Sequence, residues 1–226
     1  MKIFFIIAKQ FDAGCFLRIT KMKYRFLSVA ATAYFMAACA CGTGLKNGDL
    51  VFVGENGSAF SSAIADATAD SEGMRWVHVG IIEVRGDSLF VIEAEPRNGV
   101  RCLPLDGFVE EQEGAVLKFM RLKTGFAAAD AIARAKARMG EPYDWYYLPD
   151  NGRCYCSELV YDSYLDGDGE HIFPAEAMSF RDAAGNMPQF WVDLFSQLGC
   201  DVPEGEKGTN PDSMAESGLL YEVFPR

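Results

Sequence analysis

The chain has only two histidines, His78 and His171, so chemistry that needs an imidazole has two places to arise. His78 sits in the run Arg75-Trp76-Val77-His78-Val79-Gly80-Ile81-Ile82, whose β-branched and aromatic residues read as a strand. Alternation places Trp76, His78, Gly80 and Ile82 on one face. A second β-rich run, Ser88 to Glu95, follows Arg85-Gly86-Asp87, which is a hairpin signal. Centring the turn on Gly86-Asp87 pairs Val84 with Leu89 and sets His78 opposite Glu95 and diagonal to Glu93. A slip of two residues would place Glu93 directly across instead. Cross-strand and diagonal neighbours are within reach of long side chains. A histidine–carboxylate pair is therefore expected, with the carboxylate fixing the ring tautomer and supporting the imidazolium.

The partner such a pair calls for is a nucleophile. Cys156 lies in Cys154-Tyr155-Cys156-Ser157-Glu158-Leu159-Val160, at the start of an expected helix. A helix N-terminus favours a thiolate and offers backbone N–H groups to a developing oxyanion. The sulfur of Cys156 would then attack a carbonyl while His78 moves the proton. Zinc held by Cys154, Cys156, His78 and a glutamate is a competing use of the same residues. Cys-x-Cys lacks the usual two-to-four-residue ligand spacing, so no metal or other cofactor is expected. Cys154 is read as facing away from the reaction, Glu95 as holding a strand edge and His171 as an exposed loop residue.

The elements that must position these groups follow from turn signals and periodicity. Gly48 to Val53 reads as a strand and Ser58 to Asp70 as a helix with Phe60, Ala63, Ile64 and Ala67 at helical spacing. Val100–Leu105 and Ala115–Leu122 add strands. Ala128, Ile132, Ala135 and Met139 form a helical stripe closed by Gly140 and Pro142. Ser157–Leu165 is a short helix, and Pro188 opens another that Gly199 ends. A Gly/Pro/Glu-rich loop, Val202–Asp212, leads to a last strand near Leu219–Phe224. Tyr143, Asp144 and Trp145 are expected to pack beneath the site, with lining it as the alternative. This pattern is one α+β domain with a mainly antiparallel sheet.

The order His-Val-Gly-Ile, Val-Ile-Glu-Ala, Tyr-Cys-Ser-Glu-Leu-Val-Tyr resembles the permuted NlpC/P60 papain-like hydrolases of the YiiX/YaeF type, peptidase family C92. Gly48-Asp49-Leu50-Val51, Pro104-Leu105 with Phe108, Tyr143-Asp144-Trp145 and Gly208-Thr209-Asn210-Pro211-Asp212-Ser213 extend the likeness over roughly residues 48-224. The resemblance implies a circularly permuted papain-like fold, a barrel-like antiparallel sheet packed against helices. It makes Cys156 the nucleophile, His78 the base and Glu93, at the motif's Glu-Ala position, the orienting acid. The implied activity is amide cleavage through an acyl-enzyme on a peptide or N-acyl substrate, cell-wall-derived amides included. Acyl transfer, a lipid-directed thiol hydrolase and a non-catalytic envelope binding lipoprotein are the alternatives.

Composition excludes other classes. The 226 residues carry a net charge of −11. Residues 1-38 hold six basic residues and one acid, so the remaining 188 carry a net −16. A phosphate backbone would be repelled, and nucleic acid is not an expected partner. From Met22 a basic start, an uncharged stretch from Phe26 to Ala38 and then Cys39 have the form of a secretory signal. Met36-Ala37-Ala38-Cys39 resembles a lipobox, making Cys39 the candidate lipidation site, with translation starting at Met1 or Met22. The expected organisation is a leader (1-38), a tether (39-47) and a hydrolase domain (48-226), exported to a bacterial cell envelope and anchored to membrane by lipid. Seven cysteines in no framework spacing leave at least one free thiol.

Overall fold

The computed structural model describes residues 44–68, 74–112 and 114–225. The expected leader, Cys39 and residues 40–43 of the tether lie outside the described residues. Six strands form one antiparallel sheet: β1 (Leu50–Gly54), β2 (Trp76–Arg85), β3 (Ser88–Glu95), β4 (Gly99–Pro104), β5 (Leu117–Leu122) and β8 (Leu220–Val223), in the order β4-β3-β2-β1-β5-β8. A separate two-stranded ribbon pairs β6 (Glu176–Ala177) with β7 (Lys207–Gly208). The architecture is the expected mixed α and β one, with helices on an antiparallel sheet. The sheet is open, with β4 and β8 as its edges, so it does not close into a barrel among the described residues.

The β2–β3 hairpin has the register read from the sequence. Val84 pairs with Leu89 and Arg85 with Ser88, leaving Gly86-Asp87 as a two-residue loop with Gly86 at φ 60. That positive φ suits glycine at the first central position of a tight hairpin turn. On the other side of β2 the pairing slips: His78 faces Val53 but Trp76 faces Gly54, so Val77 is the extra residue of a bulge. The bulge corrects the simple alternation of the sequence reading. Trp76 packs edge-on against Phe52 at 6.3 Å, off the face shared by Gly80 and Ile82.

The centre of the sheet is buried on both faces. Leu50, Val51 and Phe52 are fully inaccessible, as are Val79, Ile81, Val91 and Ile92. On one face Val51, Val53, Ile82, Val91 and Phe119 gather around Phe108. Truncating a fully buried aromatic such as Phe108 to Ala costs about 3–5 kcal/mol. Phe108 comes from α2 (Leu105–Glu111), a helix the sequence reading missed because it follows β4 with no intervening turn.

The remaining helices follow their local signals. α1 (Ala59–Ala67) is capped by Ser58, whose Oγ accepts from Ser61 N at 3.2 Å. α3 (Ala128–Ala137) and α5 (Gln189–Leu198) stand where periodicity put them, and α5 ends on Gly199 in the left-handed conformation. α4 (Cys156–Ser163) packs against β2, β3 and α3. α6 (Pro211–Glu216) stands where the sequence pattern predicts the end of a loop and the approach to a strand. Its Asn210 cap accepts from Ser213 N at 2.7 Å, and Pro211 opens it. Tyr164, just past α4, donates its hydroxyl to the carbonyl of Gly48 at 2.9 Å and so ties the helix to the entrance of β1. Asp49 there is buried and clamped by Arg121 at 2.6 and 2.7 Å.

Candidate active site

β3 carries Glu93 with no exposed surface, and its two carboxylate oxygens have separate partners. Oε2 lies 2.6 Å from His78 Nε2, and Oε1 accepts from Arg101 Nε at 2.9 Å and Nη2 at 2.7 Å. A carboxylate with no access to water persists only when paired and hydrogen-bonded, and this one is both. Burial alone would raise its pKa, but His78 and Arg101 outweigh burial and hold it below the ordinary glutamate value. Between the two glutamates in reach of His78, the structure selects the diagonal one. Glu95 instead accepts from the backbone of Arg97 at 3.0 Å and of Asn98 at 2.6 Å, holding the β3–β4 turn.

Because Nε2 faces Glu93, the neutral ring carries its proton there and leaves Nδ1 for another partner. Cys156 lies near enough to act on the charge of the ring. The His78 pKa is raised from 6.5 to about 10: burial opposes the charged ring, and charge and hydrogen-bond contact with Cys156, followed by the same contacts with Glu93, overcome it. The His78 side chain keeps 15% of its surface exposed, enough for a reactant to approach. Phe108 stacks against the ring at 6.3 Å and 24°, limiting its rotation. The structure thus brings together Cys156, His78 and Glu93, from the start of α4 and from two neighbouring strands.

Cys156 is the first residue of α4 and is buried apart from 4% of its surface. Glu158, in the first turn, accepts from the backbone N–H of Tyr155 at 3.3 Å and fixes the peptide entering the helix. Its carboxyl is pushed up to about 8 by burial, with Asp162 and Asp144 adding to the effect and Arg138 and the Tyr155 amide opposing it. Cys154 does not join the site. It is fully buried, its thiol is directed at the Tyr155 carbonyl at 3.5 Å, and burial raises its pKa far above the ordinary thiol value. Among the described residues no three His, Cys, Asp or Glu side chains are arranged to hold a metal ion. His171 is exposed, stacked on Tyr161 at 3.8 Å, away from this constellation.

One wall of the site is the loop before α4. Gly99, at φ 67, lets β4 run so close to it that a Cβ there would lie 2.0 Å from the Glu141 carbonyl. Asp144 is fully buried and accepts from the N–H groups of Tyr146 and Leu148, both at 2.9 Å. This holds Tyr147 in the left-handed region at φ 54, a strained state for a tyrosine. Tyr143 and Tyr147 both feel the charge of Cys156, and burial pushes both phenols well above their ordinary value. Tyr147 Oη lies beside Tyr143 without the geometry of a formed hydrogen bond. Tyr143 packs edge-on against Phe60 at 6.4 Å and Trp145 at 5.0 Å, the packing role the sequence reading expects of it.

Arg101 and Tyr147 are the residues that reading missed. Arg101 pairs directly with Glu93 in the β3–β4 ladder, a relation available once the turn at 96–98 is fixed. Nothing in the local sequence announces Tyr147, because its placement comes from the Asp144 hydrogen bonds.

A family model described as a permuted papain-like amidase, YaeF/YiiX, C92 family, matches residues 44–224. The uncharacterized protein YiiX of Escherichia coli (strain K12) is 25% identical over 181 residues, which cover 79% of this chain and 85% of that protein. The crystal structure of metalloprotein YiiX from Escherichia coli O157:H7 is similar in fold, with a TM-score of 0.63 and 24% identity. That likeness covers 80% of this chain and 97% of the solved one.

Proposed function

Because the chain belongs to the permuted papain-like amidase family of the YaeF/YiiX type, C92, we propose that it hydrolyses an amide through a thioester on Cys156. The observation that carries this reading is one imidazole held at 2.6 Å by a buried carboxylate, with Cys156 near enough to raise its pKa. The thiolate attacks the carbonyl carbon, and the negative charge moves to the carbonyl oxygen, where the first N–H groups of α4 stabilise it. His78 gives its proton to the amine nitrogen as the C–N bond breaks, leaving the acyl group on sulfur. Water then loses a proton to His78 and attacks the thioester. The sulfur departs and the acid is released. Glu93 keeps the ring oriented and offsets its charge, and Arg101 does the same for Glu93.

The solved YiiX is described as a metalloprotein. Among the described residues of this chain no three His, Cys, Asp or Glu side chains are arranged to hold a metal ion. Export with lipidation at Cys39, which would set the enzyme in the cell envelope and in reach of cell-wall or N-acyl amides, belongs to the same proposal. Cys39→Ser would then release the protein from the membrane fraction.

The experiment is intact-mass spectrometry of the protein mixed with activated acyl esters and N-acyl amides. One acyl group on Cys156, absent from Cys156→Ala and from His78→Ala, supports the reading. Acylation distributed over Cys102 and Cys200 defeats it. Release of the acyl group to water or to an added amine decides between hydrolysis and acyl transfer.

A further inference from the structure

Thr209 links the candidate site to a cleft beside it. Its carbonyl accepts from Ser157 Oγ at 3.0 Å and its N–H donates to the Tyr155 hydroxyl at 3.2 Å. One residue is thereby fastened to both chain neighbours of Cys156. Thr209 also lines a cleft of about 370 Å³ with Pro174, Glu176, Ser213, Met214 and Leu219. That volume corresponds to roughly a dozen waters, or one capped amino acid.

The cleft's chemistry is restrictive. Among the described residues no Lys, Arg or His lines it, and its one charged side chain is the Glu176 carboxylate. A carboxylate or phosphate entering would lose water and meet only a like charge. Pro174, Met214 and Leu219 supply apolar wall, and Ser213 and Ser217 supply hydroxyls. Ser213 is exposed, and its hydroxyl accepts from the Asn210 side-chain N–H at 2.9 Å, which leaves its own proton and a second lone pair for a ligand. Such a hydroxyl can both donate to a carbonyl and accept from an N–H. A neutral amide offers both.

We propose that this cleft is a substrate subsite for an uncharged amide-bearing chain with a small apolar group, and that it rejects a free carboxylate at that position. The inference rests on the amide-hydrolase reading of Cys156 and narrows it. Neutral N-acyl amides match the subsite, and a stem peptide presenting its carboxylates there does not.

The test measures binding to full-length Cys156→Ala protein, which cannot turn over, by calorimetry or ligand-observed NMR. The probes are N-acetylleucine amide and N-acetylleucine, which differ only in the terminal charge. The amide is expected to bind at least about tenfold more tightly than the acid. Ser213→Trp, an exposed position that would fill the cleft, is expected to abolish binding. Ser213→Ala is expected to weaken amide binding about three- to tenfold while leaving the melting temperature within a degree or two of the parent, since the hydroxyl it removes is exposed. Equal binding of acid and amide, no binding of the amide, or full binding by Ser213→Trp would each overturn the subsite. Acylation of wild-type Cys156 reads the triad separately: acylation without amide binding removes the subsite alone, and amide binding without acylation removes the nucleophile's role and supports the subsite.

Discussion

Glu93→Gln keeps the shape of the buried residue and removes its charge. In the structure the carboxylate accepts from His78 at 2.6 Å and from Arg101 at 2.9 and 2.7 Å. Gln has one acceptor oxygen, so either His78 or Arg101 will face its NH₂ group, donor against donor. A hydrogen bond to a charged group contributes about 1.5–3 kcal/mol, and removing one member of a buried ion pair costs about 3–5 kcal/mol. Arg101 retains Glu111 and Glu95 as partners and is 21% exposed, which moderates the loss. The expected destabilisation is about 2–4 kcal/mol, or roughly 5–15 °C in a domain of this size. The same change strips His78 of its carboxylate, so alkylation of Cys156 by iodoacetamide at neutral pH should slow by about tenfold or more. Circular-dichroism melts and peptide-level mass spectrometry read the two effects. A melting temperature within a degree or two of the parent, with unchanged labelling, would refute the claim that Glu93 holds both partners.

Glu158→Gln should act oppositely on stability. The raised Glu158 pKa means the folded state keeps a proton that the unfolded chain has lost above about 4.5, so folding is penalised increasingly up to about 8. The Gln variant should therefore gain roughly 1–3 kcal/mol over the parent at pH 8.5 and little at pH 4.5 in urea titrations. Equal differences at both pH values would contradict the burial argument. Cys154→Ala should cost only about 1 kcal/mol and leave Cys156 labelling intact, as measured by thermal melts and by counting alkylated thiols. Loss of labelling there would mean that the two cysteines act together. The His78 shift runs in the same sense as that of Glu158: its contribution is complete below pH 6.5 and is lost as pH rises to about 10. His78→Gln should accordingly be more destabilising at pH 6 than at pH 10.5, again by urea titration.

The parts of the fold visible in the sequence were those set by local rules. Gly86-Asp87 fixed the hairpin, and the hairpin brought His78 within reach of two glutamates. The choice between them was not local. It depended on Arg101, which lies across the next ladder and engages Glu93 by a register no single segment reveals. Family resemblance favoured Glu93, and the structure gives a physical reason for that choice. Helix α6 carried its own signals, Asn210 as cap and Pro211 as first residue, but the surrounding glycines and prolines masked them. Tyr147 was illegible, since its left-handed backbone depends on the buried Asp144.

His78 is expected to be charged at neutral pH because of the nearby sulfur of Cys156 and the carboxylate of Glu93. With two histidines in the chain, an NMR titration of the ring carbons resolves both, and a His171→Asn variant assigns them. The His78 resonance is expected to stay in its protonated position through neutral pH and to titrate near 10. Cys156→Ala and Glu93→Gln should each draw that midpoint down. A His78 midpoint near 6.5 in the parent protein, indifferent to both substitutions, would contradict the coupled Cys156–His78–Glu93 site.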